Sequence, residues 1–444
     1  MIKIIQPIYK FIFNGTYKLT RNIPLKVRYS VVNVCLFILT GLFFYQCGVE
    51  SLGFNPGTVQ TRTVIGVIAI IVACIFSINK KMEYIKWNPW IVYPYYVAAI
   101  IMVVTGYQHP VGQTYLEYAW IMLLVFPALY FVLNNVGEYE KYFNILAKSI
   151  VIQGGVIILL TYFMRPINAM TYINNRYLGL TTNPNFLGMV GLIVTTSTLY
   201  LIATSKKKLP IYILINGIFV AFIWLSVART AIIALVLQFI AWSIMVLRTS
   251  LKKERTKSLI LICSTFVILV VSVPIVETTL TTIGTTVVPV ASAEEEQSNL
   301  EKRIDLKNKT IAEISSGRDF IWKQYVEHFN LWGNDYENFA IKLPSGGYLK
   351  NAHNTYIDIS FRSGVVAGLA YLIFMTAVLA VMNINIFNNK NKKYMIFAVM
   401  AVIAYFIESI LEIQVLPFNR GIVLMFYLSL APLWEKKGIE VVNE

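Results

Sequence analysis

Residues 315–368 read SSGRDFIWKQYVEHFNLWGNDYENFAIKLPSGGYLKNAHNTYIDISFRSGVVAG. No other polar stretch in the chain is as long, the rest alternating apolar spans with short loops, so chemistry in water belongs here. Ser316 followed by Asp319 has the form of a capping box and sets a helix start near Gly317. On that helix Arg318, Trp322, Tyr325 and Phe329 share one face. A second helix is expected from Ala352, with Asn354, Asp358 and Arg362 at successive i+4 steps and Gly364 and Gly368 leading into an apolar run.

Working outward, the chain has 444 residues, 57% hydrophobic and only 14% charged, with a mean hydropathy of +0.63. Soluble domains carry about 25% charged residues, so the composition indicates an all-α polytopic membrane bundle. Apolar spans are expected at Val27–Val49, Thr63–Ile78, Pro89–Tyr107, Tyr115–Leu133, Ile145–Met164, Phe186–Thr204, Ile211–Leu225, Thr230–Leu247, Leu259–Val276, Val365–Phe387, Tyr394–Leu411 and Gly421–Trp434, about twelve in all. The organisation that follows is a bundle over residues 1–276, an extracytoplasmic loop with short amphipathic helices over 277–363, and three last spans with a cytoplasmic tail over 364–444.

The net charge of +15 orients the protein and gives no reason to invoke nucleic acid. Lysines gather in alternate loops, at Lys80, Lys81 and Lys86, at residues 206–208, at Lys252, Lys253 and Lys257, and at Lys390, Lys392 and Lys393. By the positive-inside rule that side is the cytoplasm, with both termini there and the first span retained. Cys35, Cys47, Cys74 and Cys263 show no CxxC spacing and suggest neither a disulfide framework nor a metal site.

The short loops of the opposite side carry Arg62, Arg165, Arg176, Arg229 and Arg420, and no Lys. Cations there oppose the topology signal and need a cause. A guanidinium fork binds phosphate oxygens two at a time and keeps its charge, which suits a lipid phosphate or pyrophosphate. The plainer account is that each Arg meets phospholipid head groups or a neighbouring carboxylate. NNRYLGLTTNPNFLG, residues 174–188, puts Arg176 just ahead of an Asn183-Pro184 helix start, and the tight SVART turn puts Arg229 at the positive end of the next helix. In the long outer segment, residues 294–296 form an acidic run and Ser298–Ile314 reads as an amphipathic helix. Glu408 lies within a span, where an acid is a functional candidate. No Walker-type loop, GxGxxG or HExxH occurs, which argues against an ATP-driven pump or a zincin.

GRDFIW with Arg318 and Trp322, HNTYIDISFRSGVVAG with His353 and Asn354, RYLGLTTNPNFLG and SVARTAIIAL together resemble the bacterial O-antigen ligase and polysaccharide polymerase superfamily, over roughly residues 140–420. That family often shows Gly-x-Gly before its His-Asn pair; here Gly333 stands alone and Gly346-Gly347 lacks the spacer. The resemblance implies a GT-C type glycosyltransferase of the bacterial inner membrane, working on the outer face without cofactor or metal. Its partners would be an undecaprenyl-pyrophosphate-linked glycan donor and acceptor, the bilayer, and flippase and chain-length regulator proteins. It implies catalytic roles for His353, Arg318, Arg229 and Arg176, and substrate binding by Asn354, Arg362, Asn185, Trp322, Tyr356 and Asp358. Plainer readings stand beside these: Arg362 as the helical ion-pair partner of Asp358, His353 as a cap, and the aromatics as an interfacial belt. Polymerisation of repeat units, ligation to another acceptor and a lipid-linked oligosaccharide flippase remain the competing functions.

Overall fold

The computed structural model describes residues 2–47, 59–78, 81–108, 113–125, 139–168, 171–173, 176–205, 208–287, 317–334, 341–342, 348–349, 351–388, 393–415, 417–418 and 420–441. Its helices, in chain order, are α1 (Ile2–Thr20), α2 (Leu25–Gly41), α3 (Val59–Ser77), α4 (Pro89–Gln108), α5 (Gln113–Trp120, prolonged by a π turn to Val125), α6 (Tyr139–Met164), α7 (Pro184–Thr204) and α8 (Leu209–Leu225). There follow α9 (Arg229–Thr249), α10 (Arg255–Val287), α11 (Arg318–Glu327), α12 (Thr355–Ser363), α13 (Val365–Asn388), α14 (Met395–Leu411), α15 (Gly421–Ser429) and α16 (Ala431–Trp434).

As far as their residues are described, the expected apolar spans fall on these helices. Eight are long and apolar enough to cross a membrane. Two more, α8 and α14, are apolar helices of 17 residues. The fourth expected span is described only as α5 with its π turn, and the last divides into the short α15 and α16. The expected amphipathic helix Ser298–Ile314, the acidic run and His109 lie outside the described residues.

Burial separates centre from periphery. In α7, 89% of the most apolar window is inside the protein, against 22% in α10. Helix α15 is buried throughout, and α14 is buried along most of its length. Polar side chains knit this centre: Gln238 donates to Thr196 Oγ1 and to the Met400 carbonyl, both at 2.8 Å, and Trp242 donates to the Leu199 carbonyl at 2.8 Å. In hydrocarbon such bonds replace water that is not available.

One face of the bundle is identified by contacts among helix ends. Arg28 in α2 donates to the carbonyls of Phe76 and Ile78 at the end of α3. Lys141, at the start of α6, lies 3.2 Å over the Tyr29 ring. Strands β1 (Met82–Trp87) and β6 (Glu435–Val441) pair antiparallel, which ties the loop after α3 to the C-terminal segment. Two shorter ladders, β2 (Tyr172–Ile173) with β3 (Arg176–Tyr177) and β4 (Ile341–Lys342) with β5 (Tyr348–Leu349), complete the strands among the described residues. Sequence alternation gave no warning of these pairings, because two-residue strands carry no period.

Helix α10 runs 33 residues and passes the expected domain boundary at Glu277. Its Thr-rich end stays helical as Thr279, Thr281 and Thr282 donate to the carbonyls of Ile275, Glu277 and Thr278. Packing also holds it: Ile167 N donates to the Leu280 carbonyl at 3.3 Å, and a Cβ on Gly284 would meet the Ile167 carbonyl oxygen at 1.9 Å.

Candidate functional site

The three central helices bring their ends together on the face away from the β1–β6 ladder. Asn183 caps α7, accepting from Asn185 N at 2.8 Å with Pro184 in the first turn, as the Asn-Pro pair anticipates. Glu412 immediately follows α14, and Arg420 immediately precedes α15.

Glu412 is where these ends meet. Its Oε1 accepts from the Arg318 guanidinium at 2.9 Å and from Asn185 Nδ2 at 3.0 Å, while its Oε2 lies 3.1 Å from His353 Nδ1. Asn185 in turn accepts from Arg176 at 2.5 Å through its side-chain oxygen. Arg176 Nε donates to the Ser226 carbonyl at 2.8 Å, in the tight turn that opens α9. One carboxylate therefore gathers an arginine, an imidazole and an amide directly, and a second arginine through the amide, from three separate parts of the chain.

Local structure holds each partner in place. Gly317, at φ 77, precedes Arg318 as the first residue of α11, with no side-chain cap; Ser316 of the expected capping box lies outside the described residues. The Trp322 indole donates to the Ala352 carbonyl at 2.9 Å, and Tyr325, Ile321, Ala352 and Phe361 form a small core beneath, so α11 clamps the segment leading to His353. That segment starts the second helix three residues later than expected, at Thr355, with Asn354 as cap: its Oδ1 accepts from Tyr356 N and Ile357 N. Three bonds then fasten this turn to the strap after α14. Asn354 Nδ2 donates to the Ile410 carbonyl, Thr355 Oγ1 donates to the Glu412 carbonyl, and Gln414 N donates to Thr355 Oγ1.

Among the described residues, only two other than glycine have positive φ, and both are in turns of this site: His353 at 45° and Val227 at 48°. Such a conformation costs about 1–3 kcal/mol and persists where surroundings enforce it. For His353 the enforcement is the Asn354 cap on one side and the bond from Ala352 N to Asp358 Oδ1 on the other.

A cavity of about 150 Å³ opens here, lined by Asn185, Phe186, Asn351, His353, Glu412 and Arg420, with Asn183, Met189 and Ile413. The Arg420 guanidinium stands 4.5 Å over the Phe186 ring. Burial by itself would push the Glu412 carboxyl up; the hydrogen bond and charge of His353, followed by the charges of Arg318 and Arg420, outweigh it and hold the group below the usual carboxylate range. The side chains remain reachable from outside, at 18% exposure for Arg318, 15% for Glu412 and 32% for His353. A divalent cation would face strong repulsion from these guanidiniums, whereas a second anion would be well placed to take them over.

Of the residues singled out in the sequence, Arg176, Asn185, Arg318 and His353 come together. Arg229 begins α9 beside the turn that receives Arg176 and, like Arg176 and Arg318, is not among the cavity's lining residues. The other five do not reach the cavity either. Asp358 and Arg362 form a buried i,i+4 pair at 2.8 Å. Trp322 and Asn354 have the clamping and capping bonds just given, and the Tyr356 hydroxyl lies 3.0 Å from Ser409 Oγ. Arg62, another arginine of the loops expected on the outer side, lies 3.2 Å over the Tyr45 ring. Sequence reasoning missed Glu412 and left Arg420 without a role. The available signal was a second acid one turn beyond Glu408, at the end of a span bordered by an outer loop.

Gly333 takes on a definite duty. At φ 83 it packs against the end of α12, where a Cβ would meet the Arg362 carbonyl oxygen at 2.1 Å, and Asn334 N donates to the Phe361 carbonyl at 2.9 Å.

A search of curated proteins finds no match. Residues 214–372, from within α8 to within α13, match a family model described as O-antigen ligase. The matched stretch holds Arg229, Arg318 and His353, while Arg176, Asn185, Glu412 and Arg420 lie outside it. The match agrees with the resemblance read from GRDFIW and HNTYIDISF: residues 214–372 are similar to the O-antigen ligase family, within a chain whose described residues hold eight helices long and apolar enough to cross a membrane.

Proposed function

We propose that this protein is a glycosyltransferase of the bacterial cytoplasmic membrane that joins undecaprenyl-pyrophosphate-linked repeat units into a polysaccharide at the outer face. The observation that supports the reading most is the Glu412 network, where cations from α11 and from the segments before α7 and α15 surround one carboxylate beside an oriented imidazole.

In this mechanism the bond from the donor's anomeric carbon to its pyrophosphate oxygen breaks, and a bond to an acceptor hydroxyl oxygen forms. The pyrophosphate leaves with the electron pair. Arg318, Arg420 and, through Asn185, Arg176 neutralise the charge that builds there; a donor of this kind is worth about 3 kcal/mol, or roughly a hundredfold in rate. The hydroxyl proton passes to His353. With Nδ1–H donated to Glu412, the other ring nitrogen is left as the base, and the carboxylate balances the imidazolium that results. Direct in-line attack inverts the anomeric centre.

The family description favours a second reading, transfer of a finished glycan to a different acceptor. Purified protein in liposomes, given lipid-linked repeat units alone, separates the two. The polymerase reading expects a ladder of products with release of undecaprenyl pyrophosphate. Unchanged donor that is consumed only after a second acceptor is added supports ligation, and no consumption with any acceptor rejects both.

A further inference from the structure

We propose that the cleft between α6, the end of α7 and the start of α8 binds an anionic glycerophospholipid of the leaflet opposite the catalytic site. Its volume is about 730 Å³. Helix α7 has 21 residues and runs from Asn183 at the catalytic cavity to Thr204 and Ser205 in the cleft. At 1.5 Å per residue that separation is about 30 Å, the thickness of the hydrocarbon layer.

The cleft has a polar end and an apolar end in the order a phospholipid requires. Asn144, Lys148, Ser205 and Lys208 line the polar end, and Gly155 and Ile215 lie deeper. Gly155 follows Lys148 by seven residues on α6, and Ile215 follows Lys208 by seven on α8, so each wall descends about 10 Å from its cation, two helical turns. Adjacent glycines divide the work on α6. A Cβ on Gly154 would press on Val194 and Phe219, so its absence draws the helices together; a Cβ on Gly155 would meet nothing within 4 Å, so its absence leaves a groove.

Charge decides the occupant. The side-chain ammonium groups of Lys148 and Lys208 have no ion pair or hydrogen bond among the described residues. They stand at the mouth of a groove whose flanks, Ile152 and Ile211, are 61% and 53% exposed and face lipid. A neutral head group leaves both ammonium groups unanswered, whereas a phosphodiester with net negative charge answers them while its acyl chain fills the space over Gly155. Basic pockets between spans recognise lipid head groups in this way, and each Lys near an anionic head contributes about fivefold in affinity.

Native mass spectrometry on the purified full chain, titrated with phosphatidylglycerol and phosphatidylcholine of identical acyl chains, tests the proposal without an activity assay. Wild type is expected to retain phosphatidylglycerol by roughly twenty-five-fold over phosphatidylcholine, two lysines at about fivefold each. Lys148→Gln with Lys208→Gln should bring the ratio close to one. Gly155→Trp, placed in open space on a helix, should reduce binding of both lipids while leaving thermal melting unchanged. Equal retention in wild type overturns the proposal, as does a preference that survives the double substitution. Stronger retention of undecaprenyl phosphate than of phosphatidylglycerol also overturns it, since the occupant would then be a polyprenyl lipid.

Discussion

Two arginine–carboxylate pairs flank the turn that carries His353 and behave as opposites. Asp358 and Arg362, one turn apart on α12, close on each other at 2.8 Å with side chains 1% and 5% exposed. Glu412 draws Arg318 from a distant helix, shares itself with His353 and Asn185, and borders a cavity. The first pair is saturated: Asp358 Oδ1 accepts from Ala352 N and Oδ2 from Arg362, so the carboxylate braces the turn that carries His353. The second is open, because the groups that hold Glu412 come from separate elements and can re-form around an incoming anion. Residue type does not distinguish a phosphate-binding arginine from a structural one; what its nearest carboxylate is attached to does.

The largest expected effect lies at the open pair. His353→Ala should lower glycan transfer by about 10²–10⁴-fold while normal amounts of folded protein accumulate, as expected for loss of a general base. Unchanged polymer yield would remove His353 from the chemistry. At the closed pair, Asp358→Ala leaves Arg362 buried without its carboxylate, and breaking such a pair costs about 3–5 kcal/mol. Thermal melting in detergent should fall well below that of Arg318→Ala, and equal melting of the two variants would erase the contrast.

A smaller effect is expected from Glu412→Gln, which keeps the shape of the hub and removes its charge. The folded protein holds the Glu412 carboxyl below its ordinary value, so its stabilising effect is complete above the unfolded value of about 4.3 and is lost as pH falls through the lowered one. The difference in melting temperature between wild type and the Glu412→Gln variant should be present at about pH 5 and shrink below about pH 4. A gap that widens as pH falls below about 4 would show that the carboxylate is not held by its cations.

How far the sequence reached can be judged residue by residue. Span positions were legible because twenty-residue apolar runs have few other uses. Arg176 was legible because a cation in a loop expected on the outer side runs against the topology signal, Arg318 because it lies in the long polar stretch, and His353 through the resemblance carried by HNTYIDISF. Asp358 and Arg362 were ambiguous: the i,i+4 spacing fits a pair, yet spacing cannot show whether that pair is sealed from a ligand. Glu412 was passed over since an acid in a loop expected on the outer side offends no rule. Its importance comes from the Thr355 and Asn354 bonds that pin residues 410–414 against α12, contacts spanning more than fifty residues of sequence. Gly333 was read as half of an incomplete glycine pair, and only its approach to the Arg362 carbonyl reveals its task.

The claim that the Glu412 hub, and not the Asp358 pair, holds the departing pyrophosphate is tested most directly by initial transfer rates of purified Arg318→Lys and Arg362→Lys variants with a polyprenyl-pyrophosphate-linked donor. Lysine keeps the charge and loses the planar fork. The expected result is a drop of roughly a hundredfold for Arg318→Lys, with folded Arg362→Lys remaining within about threefold of wild type. Full activity in Arg318→Lys together with loss in folded Arg362→Lys would contradict the account.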